Sequence, residues 1–372
     1  MISPVPDCAA ESSGSVRPPD WPSRAHGGGL RAGAAIALAA VAVLLMAAGS
    51  VALGPADVPI RLGQVAAVIA HHTPGVAALV HTSPEADADT IVWDVRLPRV
   101  LTAALVGILL GCAGVALQGL LMNPLADPYT VGVSAGAAVG AAAAEVVGVA
   151  ALAYGFGGVA LAFGGALLAM ALVYSLARVG GRVSVQTFLL AGVVVGTVLW
   201  SLIPLLMTIT GRAEDLQRIY FYLIGSLQGA DWARFQLLVP FAVGGTLMLV
   251  FSARELNLMT FGEETAVHLG VEVERFKRRV LLTGSLVTAA AVAVGGIIGF
   301  VGLVVPHLAR RLVGPDHRTL IPLAGLFGAA LMIASDTLVR VRLNEMPVGV
   351  VTSIIGAPVF CILLRRRRAT SW

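Results

Sequence analysis

The chain has 372 residues, of which 57% are hydrophobic and only 12% charged, with a formal net charge of +4, and its mean hydropathy is +0.88. So few charges cannot coat a soluble protein of this size, which excludes a water-soluble fold and points to an all-α polytopic membrane protein. Glycine is abundant at 43 residues while aromatics reach only 6%, a balance that favours helices packed backbone to backbone through small side chains.

Residues 1–31 are rich in Pro, Ser, Gly and Arg without apolar periodicity, the composition of a disordered tail. The first apolar run, 32–53, exceeds the core of a cleaved signal peptide and is expected to remain as an anchor. Further runs of spanning length lie near 97–121, 129–151, 156–177, 186–208, 235–253, 279–299, 319–339 and 347–364. The stretch GFVGLVVPHLARR, 299–311, is apolar but short, and Pro306 interrupts it.

Charge decides whether that stretch crosses. With ten spans, 17 of the 25 basic residues fall on the side shared by both termini and the loops 122–128, 178–185, 254–278 and 310–318. The other 8 fall opposite, so the positive-inside rule places both termini in the cytoplasm. Nine spans would put the RRRR run at 365–368 outside. A short, broken eighth span is therefore expected, and non-helical backbone at membrane depth belongs beside protein or a water-filled path.

The hydrophobic course breaks sharply at NPLADP, 123–128, where Pro124 and Pro128 close one helix and restrict the start of the next. Gly107 and Gly111 before it, and Gly132, Gly136 and Gly140 after it, lie at spacings that let neighbouring helices approach closely. In the loop 254–278, residues Gly262 to Gly270 read as a short helix. Glu263 and Glu264 favour its positive end, Ala266 and Leu269 are spaced for one apolar face, and Gly270 suits its C-terminal cap.

Four blocks carry a resemblance: RLPRVLTAALVGILLGCAGVALQGLLMNPLADPYTVGVSAGAAVGA (96–141), LNLMTFGEETAVHLGV (256–271), GGIIGFVGLVVPHLARRLVGPDHRTLIPLAG (295–325) and EMPVGVVTSIIGAPVFCILL (345–364). Together they resemble the FecCD family, the permease subunits of type II ABC importers, which move iron-siderophore complexes, haem and vitamin B12. The resemblance implies a ten-span permease domain over 32–364, a basic cytoplasmic tail over 365–372 and a place in a bacterial cytoplasmic membrane. It implies a second permease, as a homodimer or a paralogous heterodimer, two copies of a cytoplasmic ABC ATPase and an extracytoplasmic substrate-binding protein. No enzyme activity, cofactor, metal or nucleic acid is implied. The chain cannot supply the ATPase itself, because a P-loop needs Gly-Lys-Ser/Thr and the only lysine, Lys277, sits in RFKRR.

By the same resemblance the helix made of Gly262, Glu263, Glu264, Ala266, Leu269 and Gly270 is the coupling helix that docks in the ATPase. The cytoplasmic gate falls on Asn123, Leu125, Val185 and Gln186, the last two departing from the small hydroxyl residues of the vitamin B12 permease. Arg96, Arg99 and Arg340 fall where arginines meet acidic lobes of the binding protein. The resemblance favours a ferric siderophore as cargo, with haem or vitamin B12 as alternatives.

The remaining polar residues have plainer readings. Cys8, Cys112 and Cys361 suit neither a disulfide framework nor a zinc site and are expected as small apolar fillers. His71, His72 and His81 in the external loop 54–92 are expected to be solvated. Glu145 and Asp336 are intramembrane acids that serve either structure or a proton relay, and Gln118 either bonds across helices or lines the path. An ion-coupled secondary transporter also uses broken helices, but no clear internal repeat supports it. A membrane-embedded enzyme would need an adjacent pair, and His307 and Ser335 have no such neighbours in the sequence.

Overall fold

A computed structural model describes residues 28–54, 60–73, 86–150, 152–180 and 182–368. Of the tail expected over 1–31, residues 1–27 lie outside the described residues, as do Cys8, His81 and the last residues of the basic tail, 369–372, whereas residues 28–31 already belong to a helix. Sixteen α-helices follow in chain order among those described: α1 Gly28–Ala52, α2 Leu62–His72, α3 Ala86–Asp89, α4 Leu97–Leu120, α5 Val133–Val147, α6 Leu152–Ala177, α7 Val185–Thr210 and α8 Ala213–Ile224. The second half holds α9 Trp232–Pro240, α10 Thr246–Phe251, α11 Ala253–Met259, α12 Glu263–His268, α13 Val273–Gly295, α14 Val301–Val313, α15 His317–Arg342 and α16 Val348–Arg368. A wide turn of π-helix, Thr90–Arg96, joins α3 to α4, and another, Phe241–Gly245, joins α9 to α10.

Each of the ten expected spans coincides with one of these helices or helix pairs. Seven are long and apolar enough to cross a membrane, whereas Val133–Val147 and Val348–Ile362 are shorter apolar helices. The expected broken span is α14, only 13 residues long with Pro306 inside it. Non-helical backbone precedes it from Gly296 to Phe300. Protein partners meet the groups at its middle: Ile297 donates its N–H to the Tyr222 carbonyl at 3.1 Å, and Ile298 pairs through both N–H and C=O with the Tyr129 hydroxyl, at 3.2 and 2.8 Å. That satisfaction is what allows irregular backbone away from water.

Elements invisible in the hydropathy pattern also appear. The loop 178–185 contains a two-residue antiparallel ladder, β1 Arg178–Val179 with β2 Arg182–Val183. The loop 54–92 is not uniformly solvated coil, since it holds α2 and α3. His72 at the end of α2 stacks on Trp93 with ring centroids 4.0 Å apart and lies 3.0 Å from Asp89. This corrects the reading of His72 as a solvated loop residue; its ring covers an aromatic face instead.

The centre of the bundle is α4, which buries nineteen residues, among them Gly107, Gly111 and Gly114. A methyl group on Gly107 would overlap the carbonyl of Gly328 in α15, and one on Gly111 that of Ala324. At Gly114 the obstructing carbonyl belongs to Gly302 in α14. The second glycine series works alike, for Gly136 and Gly140 face the α6 carbonyls of Gly165 and Leu161. Without a hydrophobic drive between helices in lipid, such close van der Waals contact is what holds neighbours together.

Gly107→Leu is accordingly expected to cost about 1–3 kcal/mol or more, because backbone rather than a movable side chain blocks the space. In detergent it should lower the yield of monodisperse protein, measured by size exclusion with thermal unfolding. Gly164→Leu, where nothing lies within 4 Å of the added carbon, should behave as wild type.

Candidate functional site: the two polar ends of the bundle

The NPLADP interruption forms a bolted turn. After α4, Met122 takes a left-handed conformation at φ 47°, and the Asn123 side-chain oxygen accepts the Leu125 N–H at 2.9 Å. Asp127 then caps a single 3-10 turn, Pro128–Val131, by accepting the Tyr129 N–H at 3.0 Å. Gly132, at φ 83°, redirects the chain into α5. Because Tyr129 is tied to Ile298, this turn is fastened to the irregular backbone before α14. Gln118 adds a second tie, donating to the carbonyls of Gly302 and Leu303 at 3.4 Å. Of its two sequence readings, the bond across helices is the one observed.

Of the four expected gate residues, Leu125 is 45% exposed, Gln186 is exposed and Asn123 and Val185 are half-buried. Val185 and Gln186 line a cavity of about 420 Å³ together with Met122, Glu263, Glu274 and Lys277. Asn123 and Leu125 do not line it. The cavity therefore joins one half of the expected gate to the 254–278 segment.

In that segment the expected helix proves shorter, Glu263–His268, with Gly262 at φ 97° before it and Gly270 at φ 85° after it. Glu263 and Glu264 do occupy its first turn. The single apolar face is corrected: Ala266 is completely buried against the bundle, whereas Leu269 caps the helix and is 57% exposed. With so few residues the helix turns Ala266 inward, and the outward ridge consists of Phe261, Val267 and Leu269.

The opposite end carries the three arginines. They are not free surface charges: Arg96, Arg99 and Arg340 are 4%, 6% and 6% exposed. Asp336 in α15 receives the Arg99 Nε on one oxygen and the Arg340 Nε on the other, each at 2.9 Å. Arg99 also pairs with Glu345 at 2.7 Å. Arg340 donates to the Ser50 and Leu53 carbonyls, and Arg96 to those of Val51 and Ala52, all at the C-terminal end of α1. Cations suit the orphan carbonyls of a helix C-terminus. Asp336 is thus a structural acid, as one of its two readings held, while Glu145 lies 3.3 Å from Arg218 of α8.

Sequence reasoning passed over Tyr129, Glu274 and the surroundings of Lys277. Only the singularity of that lysine signalled anything in advance.

Comparison with known proteins places this arrangement among relatives. The model of the FecCD transport family matches residues 37–366. The cobalamin import system permease protein BtuC of Halobacterium salinarum is 43% identical over 342 residues, covering 89% of this chain and 88% of its own. The hemin transport system permease protein HmuU of Yersinia pestis is 38% identical over 287 residues, covering 76% and 85%. Among solved structures, one described as an inward-facing metal-chelate type ABC transporter superimposes with a TM-score of 0.74 at 30% identity, over 89% of this chain and 98% of that one.

Two predictions follow from the geometry. Asp336→Ala leaves two buried guanidiniums facing each other, and removing one partner of a buried pair costs about 3–5 kcal/mol; thermal unfolding in detergent should rank Asp336→Ala below Asp336→Asn and both below wild type. The second concerns Asp127, whose carboxyl burial pushes up to about 6 against the pull of the Tyr129 N–H. The folded protein then holds this proton more tightly than the unfolded chain, so the stabilisation is full below about pH 4 and is lost as pH rises through about 6. Asp127→Asn keeps the cap's acceptor and should flatten the fall in unfolding temperature between roughly pH 4 and pH 6.5.

Proposed function

Because the chain belongs to the FecCD transport family, we propose that it imports a ferric siderophore as the membrane-spanning subunit of an ABC importer. The coarser statement, an ABC importer permease rather than an enzyme, follows from the family itself. The metal-chelate neighbour supports a metal complex as cargo, the class to which a ferric siderophore belongs. Relatives named for cobalamin and hemin import keep those two ligands as the alternatives.

The observation that carries the reading is the meeting of three segments at one end of the bundle. The bolted turn 121–132, the hairpin leading to Val185 and Gln186, and the 254–278 segment lie together, with Met122, Gln186 and Glu263 around one cavity. In the proposed mechanism this end is cytoplasmic, the chain crosses ten times and both termini are inside. The ridge of Phe261, Val267 and Leu269 seats in a groove of the ATPase, as an apolar helix face seats in a partner's groove. Asn123, Leu125, Val185 and Gln186 form the cytoplasmic gate, closed against those of a second permease, and two ATPases drive the pair. The substrate-binding protein docks at the opposite end. There its acidic lobes compete with Asp336 and Glu345 for Arg99 and Arg340 and approach Arg96 alongside. Glu345, whose side chain is 43% exposed, is the cluster's outermost member.

The test is uptake into cells lacking their own importers, with this chain produced beside its neighbouring ATPase and binding-protein genes. Radioiron-loaded hydroxamate and catecholate siderophores, haemin and radiolabelled cyanocobalamin are compared. ATP-dependent accumulation of an iron siderophore is expected, lost without the ATPase and lowered about tenfold by Leu269→Asp, the scale of removing one interface anchor. Accumulation of cobalamin or haemin alone overturns the cargo. Uptake that persists without the ATPase and collapses with an ionophore favours a secondary transporter instead.

A further inference from the structure

Lys277 is the chain's only lysine, and it is 4% exposed. A buried ammonium is tolerated only when its charge and its three donors are matched. Here the acceptors come from three different elements: Glu263 Oε2 at 2.7 Å from α12, Glu274 Oε1 at 3.3 Å from α13, and the Val183 carbonyl at 3.3 Å from β2. Glu274 closes the ring, since its other oxygen accepts the Val183 N–H at 3.0 Å. Val183 thus offers both of its backbone polar groups to this one junction.

What adjoins the junction gives it a role. Val183 stands two residues before Val185 and three before Gln186, and Glu263 is the first residue of α12. The cavity beside it is lined by Glu263, Glu274 and Lys277 and also by Val183, Val185 and Gln186. If α12 shifts, Glu263 either carries Lys277 and Val183 with it or gives up the shortest contact of the buried ammonium, leaving Glu274 as its one carboxylate partner, which is costly. We infer that Lys277 is the positioning residue that relays displacement of α12 to the Val185 and Gln186 segment. The inference rests on the reading of α12 as the coupling helix and of Gln186 as part of the gate.

The relay is tested in membrane vesicles holding the full chain with its ATPase and partner permease. Cys8→Ser and Cys361→Ser remove the reactive background, Cys112 being buried, and Gln186→Cys supplies a reporter alkylated by maleimide. The readout is the change in alkylation rate on adding ATP with vanadate, normalised to the amount of ATPase bound, so that a loss of assembly alone does not register. Lys277→Met and Glu263→Gln should each shrink the nucleotide response about threefold or more, the scale on which residues along a coupling route modulate it. Lys277→Arg, which keeps the charge, should retain it. Should Lys277→Met fail to fold, Glu263→Gln probes the same contact from its half-exposed side.

A full-sized response in Glu263→Gln and in any folded Lys277→Met overturns the relay. Leu269→Asp on the outer ridge separates the two readings. Its abolishing the response while the junction variants keep it removes the relay alone, and its leaving the response intact removes the coupling-helix reading and the relay together. A wild-type residue 186 that does not respond to nucleotide removes the gate assignment, and with it the relay.

Discussion

Contact between helix backbones at α4 is the constraint around which the rest of this protein is arranged. Lipid offers apolar side chains as good an environment as a neighbouring helix does, so association has to come from close fit. Gly107, Gly111 and Gly114 provide it by letting carbonyls of α15 and α14 approach where a side chain would stand. The same helix carries the groups that lock its partners in register: Arg99 reaches Asp336 in α15, Cys112 donates to the Ile321 carbonyl and Gln118 reaches Gly302 and Leu303. Glycine fixes distance, and these polar groups fix position along the axis.

Where α4 ends, regular structure stops in two places that touch. Met122 and Phe300, neither of them glycine, both take positive φ, a conformation that persists only when its surroundings hold it. They belong to the turn 121–132 and to the segment 296–300, and the Tyr129 hydroxyl ties these together. Backbone that departs from helix in a membrane needs partners supplied by the protein, so the two irregular stretches stabilise each other. A transport path that opens and closes needs joints, and here the segment 296–300 is held between the turn 121–132, through Tyr129, and the end of α8, through Tyr222.

Buried charge is likewise concentrated at two ends. One cluster binds the end of α1 to α4 and α15 through Arg96, Arg99, Asp336 and Arg340, and the other joins α12, α13 and β2 through Lys277. Buried ion pairs are weak sources of net stability, because desolvation offsets attraction, but they discriminate strongly against any arrangement that separates the partners. In a bundle whose apolar surfaces are nearly uniform, that discrimination selects one register among many similar ones.

The sequence alone determined the positions of the spans, the turn at NPLADP, the shortness of α14, the glycine-bearing faces and the family, because each of these is written in consecutive residues. Hydropathy and proline act locally, and a glycine spacing shows that some helix comes close. It does not show which one. That Gly107 meets Gly328, that Arg99 finds Asp336 across 237 positions, and that Lys277 joins Glu263 to Val183 were decided by tertiary structure. In a membrane the face turned to lipid and the face turned to protein are both apolar, so periodicity gives little sign of which side is buried. For the same reason Ala266 and Leu269, alike in the sequence, point to opposite surroundings: the short α12 has a single buried side, and only its docking against α11 and α13 chose the residue that fills it.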